Sequence, residues 1–232
     1  MALTGAQRRM LLIGVVPLVL LVVAGAAVTV ATIRGKLPFN YSSTFAAGPQ
    51  GVRIFSDLPT SVIGGSGDRV RVMVDGTYAA QQPKVEVQTV DGVLDVRTTC
   101  PEARCAVDLT VEVPANAVVQ AKAEGTSLSL SGLAANVQVD ASQGSVSMNR
   151  MRSQQVSVDA RSGSLSMQFE DPPAQVTATA SDGSISVRVP GTTTYSIDAV
   201  AARGSTEIRP INDPDSTHRL FLRTSYGSID VS

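Results

Sequence analysis

With 232 residues, the chain is long enough for one or two domains with a buried core. Four of its 19 basic residues, Arg8, Arg9, Arg34 and Lys36, fall in the first 36 positions, which hold no acid. The remainder carries 15 basic against 20 acidic side chains, the wrong sign for a nucleic-acid-binding body. The single histidine, His218, rules out a multi-histidine metal site and leaves one residue on which any histidine-based triad would have to rest; neither a metal nor a cofactor is expected.

Residues 1–9 read as a short cytoplasmic tail. Residues 10–33 (MLLIGVVPLVLLVVAGAAVTVATI) carry no charge, and about 20 apolar residues suffice to span a bilayer. This length favours an uncleaved transmembrane helix. Ala24, Gly25 and Ala26 form a small-x-small cleavage site, so a cleaved signal peptide is the competing reading. Arg8 and Arg9 precede the span and Arg34 and Lys36 follow it. Together with the free amine, the first pair gives a narrow preference for a cytoplasmic N-terminus. Residues 34–50 (RGKLPFNYSSTFAAGPQ) lack periodicity and read as a linker. The bulk of the chain, 51–232, is then an extracytoplasmic domain of a single-pass cell-membrane protein.

Cys100 and Cys105 enclose a six-residue loop. In an exported domain such a pair reads as a structural disulfide. A structural zinc needs four ligands, and a redox site more often shows C-x-x-C.

Residues 137–148 (VQVDASQGSVSM) set a template: apolar-x-apolar-x-small, a turn ending in Gly, then x-apolar-x-apolar. Residues 156–167, 176–187, 197–208 and 220–231 repeat it, and 119–130 fits with Thr126 in the glycine place. Residues 85–96 fit with Gly92. The anchors Thr126, Gly144, Gly163, Gly183, Gly204 and Gly227 are spaced 18, 19, 20, 21 and 23 residues apart. Period-2 alternation on either side of each anchor gives a pair of short strands, and glycine supplies a positive φ at the turn. One such unit cannot bury its apolar face alone. Stacking aligns Val137, Val156 and Val176 in one inward column and Val146, Leu165 and Ile185 in another. The expected fold is all-β, a β-solenoid or β-helix of coils of about 19–23 residues. A β-sandwich or prism of hairpins is the alternative, since turn signals every 8–12 residues suit it too.

The segment VEVPA at 111–115, followed by S-x-G-S-V-S-M-like coils, resembles the DUF4097 family of adhesin-like domains. The resemblance covers about residues 51–232. It implies a bacterial β-repeat domain joined to one membrane helix, and an adhesive role with no catalytic residues to carry over.

Stacking also aligns outward residues. Ser145, Ser164 and Ser184 fall in one column and Ser147, Ser166 and Ser186 in the next, strands lying about 4.8 Å apart. These ladders either bond to one another or present hydroxyls to a glycan. Asp140 and Asp159 share a column between Lys122 and Thr179; adjacent carboxylates repel unless a cation or base intervenes, and Lys122 or Arg161 is the expected counter-charge. Calcium would need six to eight oxygens, and no dense Asp-Gly calcium repeat is present. His218 lies in a polar loop before the last repeat. The expectation is a non-enzymatic envelope interaction module whose partner is a cell-wall glycan or an envelope protein. A polysaccharide-active β-helix enzyme and an accessory protein of an envelope signalling system are the alternatives. The chain stops one residue after the last strand position, Val231, so the final repeat is expected to form an uncapped edge open to self-association.

Overall fold

The computed structural model describes residue 22 and residues 36–101 and 105–232. The expected tail 1–9 and, apart from Val22, the apolar span 10–33 lie outside the described residues. Among the described residues, no helix is long and apolar enough to cross a membrane. Phe39–Ser232 forms a unit of its own.

The alternating pattern folds into strands throughout: β1 (Leu37–Ala46), β2 (Gly51–Ser56), β3 (Thr60–Gly65), β4 (Arg69–Tyr78), β5 (Lys84–Val90), β6 (Val93–Thr99), β7 (Ala106–Pro114), β8 (Val119–Ala123), β9 (Leu128–Ser131), β10 (Val137–Gln143), β11 (Val146–Met151), β12 (Gln155–Ser162), β13 (Leu165–Phe169), β14 (Gln175–Asp182), β15 (Ile185–Arg188), β16 (Ser196–Arg203), β17 (Thr206–Ile208), β18 (Arg219–Tyr226) and β19 (Ile229–Val231). They make two sheets. Sheet A runs β1-β4-β7-β3-β9-β11-β13-β15-β19-β17 and sheet B runs β16-β18-β14-β12-β10-β8-β2-β6-β5. From β8 onward the chain alternates between sheets, so one strand in each makes one coil.

Consecutive coils pair in parallel and in register: Val137 with Val119 and Val156, and Val146 with Leu128 and Leu165. That pairing is a β-solenoid and not a hairpin sandwich. The two expected inward columns are buried, with Val137, Val156 and Val176 at 3%, 3% and 0% exposure and Val146, Leu165 and Ile185 at 2%, 1% and 1%. Fully burying each such side chain is worth roughly 1.5–3 kcal/mol. The small position of the template, Ala123, Ala141, Ala160 and Ala180, is buried beside the turn into the other sheet. There the two sheets are joined and leave little width for a side chain.

Three expectations are corrected, and two coils outside the template are added. Residues 85–96 are not a coil but the antiparallel hairpin β5–β6 within sheet B. Its two-residue turn, Asp91-Gly92, has φ of 50° and 78°, the pairing of positive values that reverses a strand onto its own sheet. The segment 34–50 is not all linker: β1 occupies Leu37–Ala46 and joins β4 in sheet A. Two coils went unrecognised, β2–β3 and β6–β7, because their inter-sheet turns carry no glycine; the second turn carries Cys100 and Cys105 instead. Lastly, chain order is not spatial order. The β18–β19 coil lies between β14–β15 and β16–β17, paired in parallel on both sides. The final repeat is therefore interior, and β16 and β17 form the edge. At the other end, β2–β3 likewise lies between β6–β7 and β8–β9.

Candidate interaction surfaces

The outward serines stand where the repeat places them. Ser129, Ser147, Ser166 and Ser186 follow one another across β9, β11, β13 and β15, continued by Asp230 and Glu207. Ser145, Ser164 and Ser184 are exposed at the turns. Their carbonyls accept from the amides of Leu128, Val146 and Leu165 in the adjacent coil. Near β19 the hydroxyls are used internally. Ser205 donates to Ser228 Oγ at 3.1 Å, and the Ser228 amide donates to Ser184 Oγ at 3.2 Å.

Asp140 and Asp159 are direct register partners, flanked by Lys122 and Thr179. Lys122 does not balance them: its ammonium lies 3.1 Å from Glu124. Both carboxylates are exposed, so water screens their repulsion. Among the described residues, no group of three or more His, Cys, Asp or Glu side chains is placed to hold a metal ion.

Cys100 and Cys105 are joined in a disulfide. Both are half-buried against the core and close the β6–β7 turn. His218 ties two loops together: its Nδ1 lies 2.8 Å from the Pro173 carbonyl, and its ring stands edge-on to Tyr195 at 5.8 Å.

The feature that the sequence reading missed lies on the outer face of sheet B. Gln120, Gln138, Ser157 and Thr177 form one row across β8, β10, β12 and β14. Asn136, Gln155 and Gln175 form a second row two residues away, roughly 6.6 Å along the strands. The Asn136 amide donates to Gln155 Oε1 at 3.1 Å, and Gln155 and Gln175 are register partners. Between the rows runs an open trough of about 400 Å³ whose lining contains no charged side chain. Other depressions are charged, one by Arg152 and Asp171 and another by Asp57 and Asp108. Arg53 bounds the first row at one end, donating to Gln120 Oε1 at 3.2 Å. At the other end stands Phe221 of β18, register partner of Thr177 and 37% exposed. The signal in the sequence was the amide at the position before or after the first valine of each repeat. It recurs in only some copies, and the serine ladder masks it.

Residues 110–224, from the middle of β7 to the inner part of β18, match the family model described as Toastrack DUF4097. Residues 110–224 are a Toastrack domain. The match spans β8 to β17 and most of β18, and it includes the trough of sheet B. A search among functionally curated proteins finds no match. Among solved structures, the chain is similar to a "putative cell adhesion protein" from Clostridium sporogenes. The identity is 11%, covering 84% of this chain and 99% of that one, with a TM-score of 0.47. It is also similar to a "putative adhesin" from Bacteroides fragilis, at 14% identity over 84% and 97%, with a TM-score of 0.48.

Proposed function

We propose that this chain is a non-enzymatic interaction module of the bacterial cell envelope, and that its Toastrack domain binds an uncharged glycan along the trough of sheet B. The observation that carries the reading is the trough itself: amides and hydroxyls repeated over four coils, with no charge. A linear polymer laid across the strands meets equivalent donors and acceptors once per strand spacing, about 4.8 Å. Amides both donate and accept, which suits sugar hydroxyls. Phe221 adds an exposed ring against which the apolar face of a sugar packs. Asp140 and Asp159, one row further along the strands, disfavour an anionic polymer there. The trough is favoured over the serine ladder because its amides both donate and accept and its lining carries no charge, whereas the ladder runs on into Asp230 and Glu207. Two features support an envelope location with the body outside the cytoplasm. One is the uncharged run 10–33. The other is the disulfide, which persists in oxidising compartments.

The test is calorimetry of the protein against neutral and acidic polysaccharides, with a parallel assay for chain cleavage. Neutral chains should bind without being cut. Gln138→Ala combined with Gln155→Ala should weaken binding about tenfold or more, each lost hydrogen bond counting for about 1 kcal/mol. Binding only to acidic chains, no binding to any glycan, or release of shortened chains would overturn the proposal.

A further inference from the structure

Sheet B sets out its polar groups at constant intervals. From β2 through β8, β10, β12 and β14 to β18, each strand pairs in parallel with the next, and no register shift interrupts the run. Sheet A is less regular, its register shifting between Met148 and Met151 of β11. One wall of the trough, Gln120, Gln138, Ser157 and Thr177, is therefore a row with one polar side chain per strand spacing, about 4.8 Å. Phe221 extends this row by one strand. Charge bounds it at both ends: Arg53 precedes Gln120, and Asp198 follows Phe221. The uncharged stretch from β8 to β18 covers roughly 19 Å, the sum of the strand spacings between them.

The cross-section is equally defined. The second wall, Asn136, Gln155 and Gln175, runs parallel to the first and ends at Arg219. Between the walls, Val137 and Val156 are 3% exposed and turn their side chains into the core. The floor is thus peptide backbone, and its N–H and C=O groups are consumed in the parallel ladder. Hydrogen-bonding side chains line both edges of the trough, and the floor offers no free donor or acceptor.

Those dimensions discriminate among neutral glycans. In a β-1,4-linked chain of pyranoses with equatorial substituents, the polar groups project from the two edges of an extended ribbon, and the faces carry C–H groups. The rise per sugar is close to one strand spacing, about 4.8 Å, so successive sugars meet successive side chains of a wall. Carboxamides and hydroxyls donate and accept at each step. The C–H face of the ribbon lies on the backbone floor and, at the β18 end, against the Phe221 ring. An α-1,4-linked chain coils instead, which carries its sugars out of line with the row.

We propose that the ligand of the trough is a β-1,4-linked ribbon glycan, held across β8 to β18 over about five sugars. The inference rests on the glycan reading and adds linkage and length to it. The test is calorimetry on the full chain. The tighter-binding of cellopentaose and chitopentaose should exceed both maltopentaose and its own disaccharide by about tenfold or more, a factor that one or two hydrogen bonds supply. The gain with length should stop at about five sugars. Ser157→Tyr puts a ring in the middle of one wall and should bring the pentasaccharide down to disaccharide affinity with an unchanged circular-dichroism spectrum, while Ser166→Tyr, on the serine face, should not. Maltopentaose binding as tightly as the β-linked chains, a pentasaccharide no tighter than its disaccharide, or full affinity in Ser157→Tyr would overturn this inference and leave a neutral glycan as the ligand. No binding by any of these neutral chains would overturn both.

Discussion

At Gly163 the backbone has φ +126°, and a Cβ there would strike the carbonyl oxygen of Gly144 in the coil below. Gly144, Gly183, Gly204 and Gly227 meet the same obstacle, each against the equivalent residue of its neighbour. The column is glycine for two separate reasons, a conformation and a close approach of stacked turns. Gly125 separates them: its φ is +71°, but nothing lies within 4 Å of a Cβ. Gly125→Ala should therefore lose only the conformational part, about 1 kcal/mol, whereas Gly163→Ala should lose about 2–4 kcal/mol. Urea denaturation of both variants checks this, and equal losses would remove the steric reason. The sequence disclosed the first reason through the repeat; the second needs two coils side by side and is invisible in one.

Tyr195 is the other residue whose role only packing reveals. It is 0% exposed, its hydroxyl donates to the Pro190 carbonyl at 2.8 Å, and burial pushes its phenol above the usual tyrosine range of about 10. The folded state thus resists losing this proton more than the unfolded chain does. The stability it lends is full below about pH 10 and falls as pH rises further. Thermal melts should show a steeper alkaline decline in the wild type than in Tyr195→Phe. The variant should lose about 1 kcal/mol at neutral pH from the missing hydrogen bond. Identical alkaline slopes would contradict the assignment. Asp95 marks the limit of reading by pattern. It holds an outward register position beside Arg53, yet it is 3% exposed, with one oxygen on Arg97 and the other without a hydrogen-bond partner.

At the scale of the element, the coil is the unit that holds. Each pairs in register with its neighbours and fills the space between the sheets with the same few side chains, so inward and outward positions differ sharply in tolerance. Leu165, 1% exposed, sits between Val146 and Ile185. Leu165→Asp should cost more than about 3 kcal/mol, from the lost packing and an unpaired buried charge. Ser166→Asp, one residue on and facing water, should stay within about 0.5 kcal/mol. Comparable denaturation midpoints for the two would mean that the columns are swapped. This level was the most legible one in the sequence. Period-2 alternation and a glycine-anchored turn located β8 to β19 and their facing. The same template misread β5–β6, because alternation around a glycine does not say whether the turn crosses to the opposite sheet or folds back. The glycine-anchored coil turns are also two residues long; what folds Asp91-Gly92 back is that both residues take positive φ, whereas in those coil turns only the glycine does. The β2–β3 and β6–β7 coils do not fit the template because their turns, Asp57-Leu58-Pro59 and the disulfide loop, cross between the sheets without a glycine.

At the scale of the whole molecule, the stack is assembled out of chain order, and no pattern within a repeat records that. The chain leaves β15, skips one place to lay down β16–β17, and returns to fill the gap with β18–β19. The skip is held by contacts that the repeat does not contain. Tyr195 anchors the entry to β16 against Pro190 and pairs with Asn212, and the Val189 amide donates to the Ser232 carbonyl, the last residue of the returning coil. Because coils in a solenoid support only their neighbours, the stability of β16–β17 depends on residues that follow it in sequence. Ending the chain after His218 should therefore do more than remove an end. Ser196–Arg203 pairs in sheet B with β18 alone, so it should lose its hydrogen-exchange protection together with the deleted coil, while Gln175–Asp182 keeps its pairing to β12. Exchange measured by mass spectrometry on the truncated and full chains reads this directly. If amides of residues 197–203 stay protected after the truncation, β16 has moved inward to pair with β14, and the skipped order is set by the presence of the last coil and not by the connection at Tyr195.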